Sequence, residues 1–220
     1  MDKIKVLVAD DHTLVRKGLC SLLSEESDIE IVGEAENGRE AIKKAEQLNP
    51  DVVLMDITMP ELNGMDATRQ IKKRFPSIKI MILSMHTNDE YIFETLRAGA
   101  SGYLIKRSAP TDLIKAIHVA HDGDVFLSPS ISKKVIENYI HQQQDSISEP
   151  LGLDKLTERE REVLQLIAEG NPNREIARRL FVSTKTIEAH RVKIQYKLQL
   201  RGTAELTKYA IKKGLVDLDT

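Results

Sequence analysis

Along the first 121 residues, short apolar runs alternate with segments of helical spacing, and each run stops on a polar side chain. Ile4-Lys5-Val6-Leu7-Val8-Ala9 ends on Asp10-Asp11, and Leu14, Gly18, Leu19, Leu22 and Leu23 follow three to four residues apart. That is the pattern of a buried strand leading into an amphipathic helix. Ile29 to Ala35 predicts a second strand and Arg39 to Leu48 a second helix. The third run, Val52-Val53-Leu54-Met55, is apolar throughout until Asp56, and Pro60 and Asn63-Gly64 then break regular structure. Asp56 therefore sits where strand becomes loop. Met65 to Phe75 reads as a helix, Ile80 to Leu83 as a fourth strand ending on Ser84, and Glu90 to Ala98 as a helix closed by Gly99. Gly102-Tyr103-Leu104-Ile105 is a fifth strand ending on Lys106, before a fifth helix from Leu113 to His121.

Continuous apolar strands alternating with helices predict a parallel sheet covered on both faces, joined by right-handed crossovers. In such a sheet the carboxyl ends of the strands share one edge, where ligands bind. That edge would gather Asp10, Asp11, Asp56, Ser84 and Lys106. Singly, the acids could cap helices, Ser84 could be a turn residue and Lys106 a surface lysine; their convergence favours a site. Three carboxylates with no basic side chain among them repel one another unless a hard cation lies between, and Mg²⁺ accepts such oxygen donors. A cation there would offset the charge of a phosphoryl group held in line with Asp56. Lys106 would neutralise more of it, the Ser84 hydroxyl could donate to a phosphoryl oxygen, and the product would be an aspartyl phosphate.

Beyond His121 the pattern changes. Ile131, Val135, Ile136, Tyr139 and Ile140 predict one more helix from about Ser132, and Gln142 to Pro150 reads as a polar linker. Residues 122–150 are thus expected to join a front domain (3–121) to a back domain (151–216). In the latter, Thr157 and Glu160 form a capping box ahead of an apolar stripe of Val163, Leu164, Ile167 and Ala168. A short helix with Ile176, Ala177 and Leu180 inward, a turn at Phe181-Val182, and a longer helix capped by Ser183 follow, with a fourth from Ala204 to Lys213. Short helix, tight turn and longer helix is the helix-turn-helix plan. At 100° per residue, Ile187, Ile194 and Leu198 share one stripe of the long helix, and Lys185, Glu188, Ala189, Val192, Lys193 and Tyr196 lie opposite. Lysines there can reach phosphates, Ala189 and Val192 can meet thymine methyls, and Glu188 can accept from a cytosine amino group. An ordinary solvated face would look similar.

Composition adds three points. Residues 1–149 hold 18 Lys+Arg against 24 Asp+Glu and residues 150–220 hold 14 against 10, so a net −6 half joins a net +4 half. A basic second domain fits an acidic partner such as nucleic acid. No apolar run reaches membrane-spanning length and the start lacks a signal-peptide core, which predicts a cytoplasmic protein with no membrane partner. The single cysteine, Cys20, lies among apolar helical positions and reads as a core residue.

Asp10-Asp11, Leu54-Met55-Asp56-Ile57-Thr58-Met59-Pro60 with Gly64, Ser84, and Gly99 to Lys106 together resemble the receiver domain of two-component response regulators. The resemblance implies a flavodoxin-like five-stranded sheet of order 2-1-3-4-5, a doubly wound α/β fold. It makes Asp56 the phosphoacceptor and Asp11 the direct Mg²⁺ ligand, with Asp10 acting through water and the Thr58 backbone carbonyl contributing. It also makes Ser84 and Tyr103 a coupled switch pair, Tyr103 filling space that Ser84 leaves. Arg107 stands where the family often has proline. Leu156 to Leu164, Asn173 to Ala177, Ser183 to His190 and Lys197-Leu198 resemble the LuxR-type DNA-binding domain, with Pro172 and Thr203 as departures. Together these resemble the NarL/FixJ family. The combination implies a non-enzymatic transcription regulator whose partners are a histidine kinase, duplex DNA, a second copy of itself when phosphorylated, and RNA polymerase. Leu206, Tyr209, Ala210 and Leu215 are the residues expected to pair two copies.

Three other readings carry distinguishing features. A phosphohydrolase using a strand-end aspartate would carry a second acid two residues on, where this chain has Thr58, and no Gly-x-x-x-x-Gly-Lys loop is present. A regulator indifferent to phosphate need not keep the full set of Asp10, Asp11, Asp56, Ser84 and Lys106. An RNA- or protein-binding module would not prefer duplex DNA.

Overall fold

The apolar runs form the strands of one parallel sheet. The structure, a computed structural model, describes residues 3–142 and 152–216. The chain divides into two units, Met1–Gln143 and Gln144–Thr220. The first runs β1 (Ile4–Ala9), α1 (Thr13–Ser24), β2 (Ile29–Ala35), α2 (Gly38–Leu48), β3 (Val52–Asp56), α3 (Gly64–Arg74), β4 (Lys79–Ser84), α4 (Asp89–Arg97), β5 (Gly102–Ile105), α5 (Pro110–His121), β6 (Phe126–Leu127) and α6 (Pro129–Gln142). The strand order is β2-β1-β3-β4-β5-β6 and every pairing is parallel.

All five residues of β3 are buried, the apolar Val52 to Met55 as their composition requires and the terminal Asp56 along with them. On one face Val6, Val8, Leu54 and Met81 pack with Leu23 from α1 and with Leu113 and Ile117 from α5. Each such side chain stabilises the fold by roughly 1.5–3 kcal/mol when fully removed from water. Strand register then positions the site. Ala9 pairs with Met55, Asp56 with Leu83, and Ser84 with Ile105. The residues that end or follow β1, β3, β4 and β5 therefore lie along one edge, beside the β1–β3 junction where the strand order reverses.

The loop after β3 is closed tightly. The Gly64 N–H donates to the Ile57 carbonyl at 2.7 Å. A Cβ at Gly64 would come 1.8 Å from the Asp56 carbonyl oxygen, so no larger residue fits. Asn63 caps α3 by accepting from the Asp66 N–H at 2.9 Å.

Two features differ from expectation. The sheet has a sixth strand, and residues 122–142 belong to the first unit instead of to a tether. β6 is only two residues long and follows the polar Asp122-Gly123-Asp124, so no apolar run announces it. The Ser128 N–H donates to the Tyr103 carbonyl at 3.0 Å, and Ser128 Oγ accepts from the Ile105 N–H at 3.2 Å. α6 starts at Pro129, buries Ile131 completely and pairs Lys134 with Asp89 of α4 at 2.7 Å. The expected polar linker lies outside the described residues from Gln143 onward.

The second unit contains a 3-10 turn (Gly152–Lys155), α7 (Glu158–Ala168), α8 (Asn173–Arg179), α9 (Thr184–Leu198) and α10 (Gly202–Lys212). The expected capping box is formed: Thr157 Oγ1 accepts from the Glu160 N–H while the Glu160 carboxylate accepts from the Thr157 N–H. Glu160 also pairs with Lys197 of α9 at 2.6 Å, so the cap that starts α7 anchors the long helix. Leu206, Ala210 and Leu215 are buried within this unit, where α10 packs on α7. The expected pairing of two copies through Leu206, Tyr209, Ala210 and Leu215 is therefore corrected for Leu206, Ala210 and Leu215, which build the domain's own core, while Tyr209 is half-buried. An amphipathic stripe read from sequence does not say which partner covers it.

Gly64→Ala is expected to cost about 3 kcal/mol or more, because the new methyl meets backbone and not a movable side chain. Ser128→Ala removes the acceptor of the half-buried Ile105 N–H and is expected to cost about 1 kcal/mol. Urea unfolding of each variant beside the wild type measures both.

Candidate functional site

Asp10 and Asp56 are almost fully buried, at 1% and 3% exposure, and face each other across the β1–β3 junction. Two carboxylates so placed repel strongly unless a cation joins them. Lys106, delivered by the end of β5, supplies one: its Nζ lies 2.7 Å from Asp10 Oδ2 and 2.9 Å from Asp56 Oδ2. The expectation of an acid cluster with no basic group inside it is thus corrected. A long lysine side chain from two strands away reaches between the acids, a reach that linear spacing does not reveal. The Lys106–Arg107 peptide, like all those described, is trans.

The charges respond to burial. Loss of water pushes the Asp56 carboxyl up to about 6; the Lys106 ammonium pulls it down and the Asp10 carboxylate pushes it further up. Burial works against the Lys106 ammonium, but Asp56 and Asp10 more than offset this and hold its pKa above the ordinary lysine range. Asp56 is therefore largely ionised near neutral pH yet more basic than an exposed aspartate. Its Oδ1 accepts from the Ile57 N–H at 2.8 Å, which fixes the carboxylate plane.

Asp11 is less buried than Asp10 and holds His12 Nδ1 at 2.8 Å. Asp10 Oδ2 and Asp11 Oδ1 are buried atoms that accept no aligned hydrogen bond, although each has a basic nitrogen nearby. Ligating atoms of Asp10, Asp11, His12 and Asp56 all lie within 4.8 Å of one another, a set able to hold a divalent cation. Thr58 lies half-buried two residues beyond Asp56.

Ser84 and Tyr103 are both fully buried. Ser84 Oγ accepts from the His86 N–H at 3.0 Å, and the Tyr103 hydroxyl donates to the His86 carbonyl at 2.8 Å. Tyr103 is thus already turned inward, and burial holds its hydroxyl well above the usual phenol range. The His86 ring stacks on Tyr91 with centroids 4.3 Å apart, which ties the loop after β4 to α4 instead of leaving this histidine in water.

Two residues of this region escaped the sequence reading. His12 directly follows the acid pair and turns its ring into the cluster. Arg16 is nearly buried and donates to the Asp10 carbonyl at 2.6 Å, to Glu34 at 3.1 Å and to Glu36 at 2.6 Å. Its signal was available, since Arg16 falls on the stripe of Leu19 and Leu23, where a charge needs partners.

On α9 the stripe resolves as expected, with Ile187 and Ile194 fully buried. Lys185, Glu188, Ala189, Val192, Lys193 and Tyr196 are all exposed, Val192 at 64% and Tyr196 at 85%. Arg191, also missed, donates to Asn173 Oδ1 at 3.0 Å and to Thr203 Oγ1 at 2.6 Å, clamping α9 to the starts of α8 and α10. Thr203, a departure from the family pattern, thereby takes a structural part. Pro172 is the N-cap residue of α8 and supplies no side-chain cap. His190 joins no cluster of metal-ligating groups among the described residues. No described helix is long and apolar enough to cross a membrane.

A pH dependence follows from Asp56. Its folded pKa lies above its unfolded value of 3.8, so between about pH 4 and 6 the native state keeps a proton that the unfolded chain loses. Stability is lost as pH rises through that window, and the full cost of the buried charge is present above it. Asp56→Asn keeps the shape and removes the charge. It is expected to stabilise the protein by about 1–3 kcal/mol near neutral pH, and the gain should vanish by about pH 4, as read by urea unfolding at both pH values.

The family described as "Response regulator receiver domain" matches residues 6–118, and that described as "Bacterial regulatory proteins, luxR family" matches residues 154–210. The chain is 41% identical over 218 residues to the oxygen regulatory protein NreC of Staphylococcus carnosus (strain TM300), covering 97% of this chain and all of that one. It is 39% identical to NreC of Staphylococcus haemolyticus (strain JCSC1435) at the same coverage. Among solved structures, the response regulator ChrA of a heme-sensing two-component system is similar at TM-score 0.54 and 30% identity, over 98% of this chain and 100% of that one. The RcsB response regulator in complex with DNA is similar at TM-score 0.58 and 30% identity, over 96% and 99%. With both domains matched in order and relatives aligned end to end, the chain belongs to the two-component response regulators that join a receiver domain to a LuxR-type DNA-binding domain, the NarL/FixJ family.

Proposed function

We propose that this protein is a cytoplasmic, phosphorylation-controlled transcription regulator that accepts a phosphoryl group from a histidine kinase on Asp56 and then binds duplex DNA as a homodimer. The observation that carries the reading is the Lys106 ammonium held between two buried carboxylates, one of them the basic, ionised Asp56. The Asp56 carboxylate donates an electron pair to phosphorus; the bond from phosphorus to the donor's imidazole nitrogen breaks, and that nitrogen leaves with its electron pair and takes up a proton. Lys106 can follow the negative charge from the carboxylate to the phosphoryl oxygens. The buried Ser84 hydroxyl stands ready to donate to one of them.

Asp10, Asp11, Asp56 and the Thr58 carbonyl would hold Mg²⁺; the chemistry of this clustered set of oxygen donors fits such an ion. Mg²⁺, when bound, supplies charge neutralisation at the phosphoryl oxygens. Thr58 stands where a hydrolytic relative would keep its second acid, so the protein acts as a stoichiometric phosphoacceptor and not as a turnover enzyme. Phosphate is read out through Ser84, Tyr103 and the His86 backbone, whose N–H and carbonyl they respectively bond, with recruitment of RNA polymerase downstream.

On α9, Lys185 and Lys193 position the helix on phosphates, and Glu188, Ala189, Val192 and Tyr196 face base edges and sugar. The RcsB–DNA complex supports this assignment by similarity.

Intact-mass measurement after treatment with a small phosphoryl donor and Mg²⁺ should show one added phosphoryl group in the wild type and none in Asp56→Ala. Tyr103→Ala should take up the group normally but lose the donor-dependent rise in dimer on gel filtration; a full rise would remove Tyr103 from the readout. Lys185→Ala and Lys193→Ala should each weaken duplex binding and lower the slope of log affinity against log salt by about one.

A further inference from the structure

His12 is the one member of the acid cluster to which the mechanism gives no task. It occupies the N-cap position of α1 yet makes no side-chain cap. Its own N–H donates to Asp10 Oδ1 at 2.9 Å, which fixes the backbone at the edge of the pocket. Its ring turns inward: Nδ1 lies 2.8 Å from Asp11 Oδ1 and 3.5 Å from Asp10 Oδ1. The side chain remains 57% exposed, so the ring can adjust within the pocket without disturbing the core.

The oxygens His12 faces include a buried one, Asp11 Oδ1, that accepts no aligned hydrogen bond, and the neighbouring Asp10, only 1% exposed, has its Oδ2 paired with Lys106 Nζ at 2.7 Å. The cluster is thus not a purely acidic one. It offers three carboxylates and one imidazole nitrogen, with one ligand atom from each within a 4.8 Å span. That donor set has consequences for the ion. Mg²⁺ takes oxygen and dehydrates reluctantly, whereas a neutral imidazole nitrogen favours first-row transition cations. Mn²⁺ is the member of that series that also suits carboxylate and water.

We propose that His12 Nδ1 is a ligand to the divalent cation of this pocket and biases the pocket towards Mn²⁺ and related transition cations relative to Mg²⁺. The inference rests on the cation site of the proposed function and adds to it a fourth side chain and a preference among metals. Without His12 the same aspartates would form an all-oxygen site.

The test uses the full-length protein with Mn²⁺ and Mg²⁺ as probes. Pulsed electron paramagnetic resonance of bound Mn²⁺ should show coupling to an imidazole nitrogen in the wild type and lose it in His12→Gln. Calorimetric titration should show Mn²⁺ affinity falling about tenfold or more in His12→Gln, with a clearly smaller change for Mg²⁺. Asp11→Asn serves as the control that removes the site itself. Mn²⁺ binding that depends on Asp11 but shows no nitrogen coupling would overturn the assignment and leave the cation site standing. So would coupling that survives in His12→Gln, or an equal loss of affinity for both ions. If neither ion binds the wild type, the cation site and the role of His12 fall together.

Discussion

Two aspartates, Asp10 and Asp56, are forced together by the register of β1 against β3, and both are closed off from water. Their immediate neighbours accommodate that repulsion. Lys106 spans from β5 to lie between them, Ile57 donates an N–H to one and Arg16 secures the backbone of the other. The arrangement stabilises the protein less than a neutral pocket would, since burial leaves the Asp56 carboxyl at about 6. It does keep a basic carboxylate and a cation pre-positioned at one spot.

The same edge of the sheet carries the means to report a change. Ser84 and Tyr103 end or lie on the two strands beyond Asp56, and both bond to the backbone of His86. His86 stacks on Tyr91 of α4, and α4 is tied to α6 through Asp89 and Lys134. β6 pairs Leu127 with Tyr103, and Ser128 just after it donates its N–H to the Tyr103 carbonyl. A shift at Ser84 or Tyr103 therefore meets α4, β6 and α6 within one or two contacts. These form a contiguous physical route from the pocket to the end of the first unit.

Much of this was legible in the residues. The unbroken apolar runs of β3 and β4 require burial on both faces, so the polar residue ending each run had to fall on the shared edge. Thr157 and Glu160 announced the start of α7, and the angular spacing of Ile187 and Ile194 separated the buried from the exposed face of α9. What stayed hidden depends on contacts between distant segments. β6 is too short to show a period, and its place is set by Ser128 bonding to β5. The position of Lys106 inside the acid pair depends on side-chain reach across two strands. Leu206, Ala210 and Leu215 showed an apolar stripe, but only packing against α7 decides that the stripe faces inward. His12 was visible beside Asp11 and lacked only a reason to point at it.

In the proposed function, phosphate on Asp56 controls binding of DNA by the second unit. The most direct measurement is the affinity of the full chain for duplex DNA, by fluorescence anisotropy at fixed salt, with and without a phosphoryl donor and Mg²⁺, beside Asp56→Ala. Donor-treated wild type should bind more tightly, and the variant should show no response. Equal affinity of the wild type in both conditions would contradict that control, and the second unit would then act without instruction from the pocket.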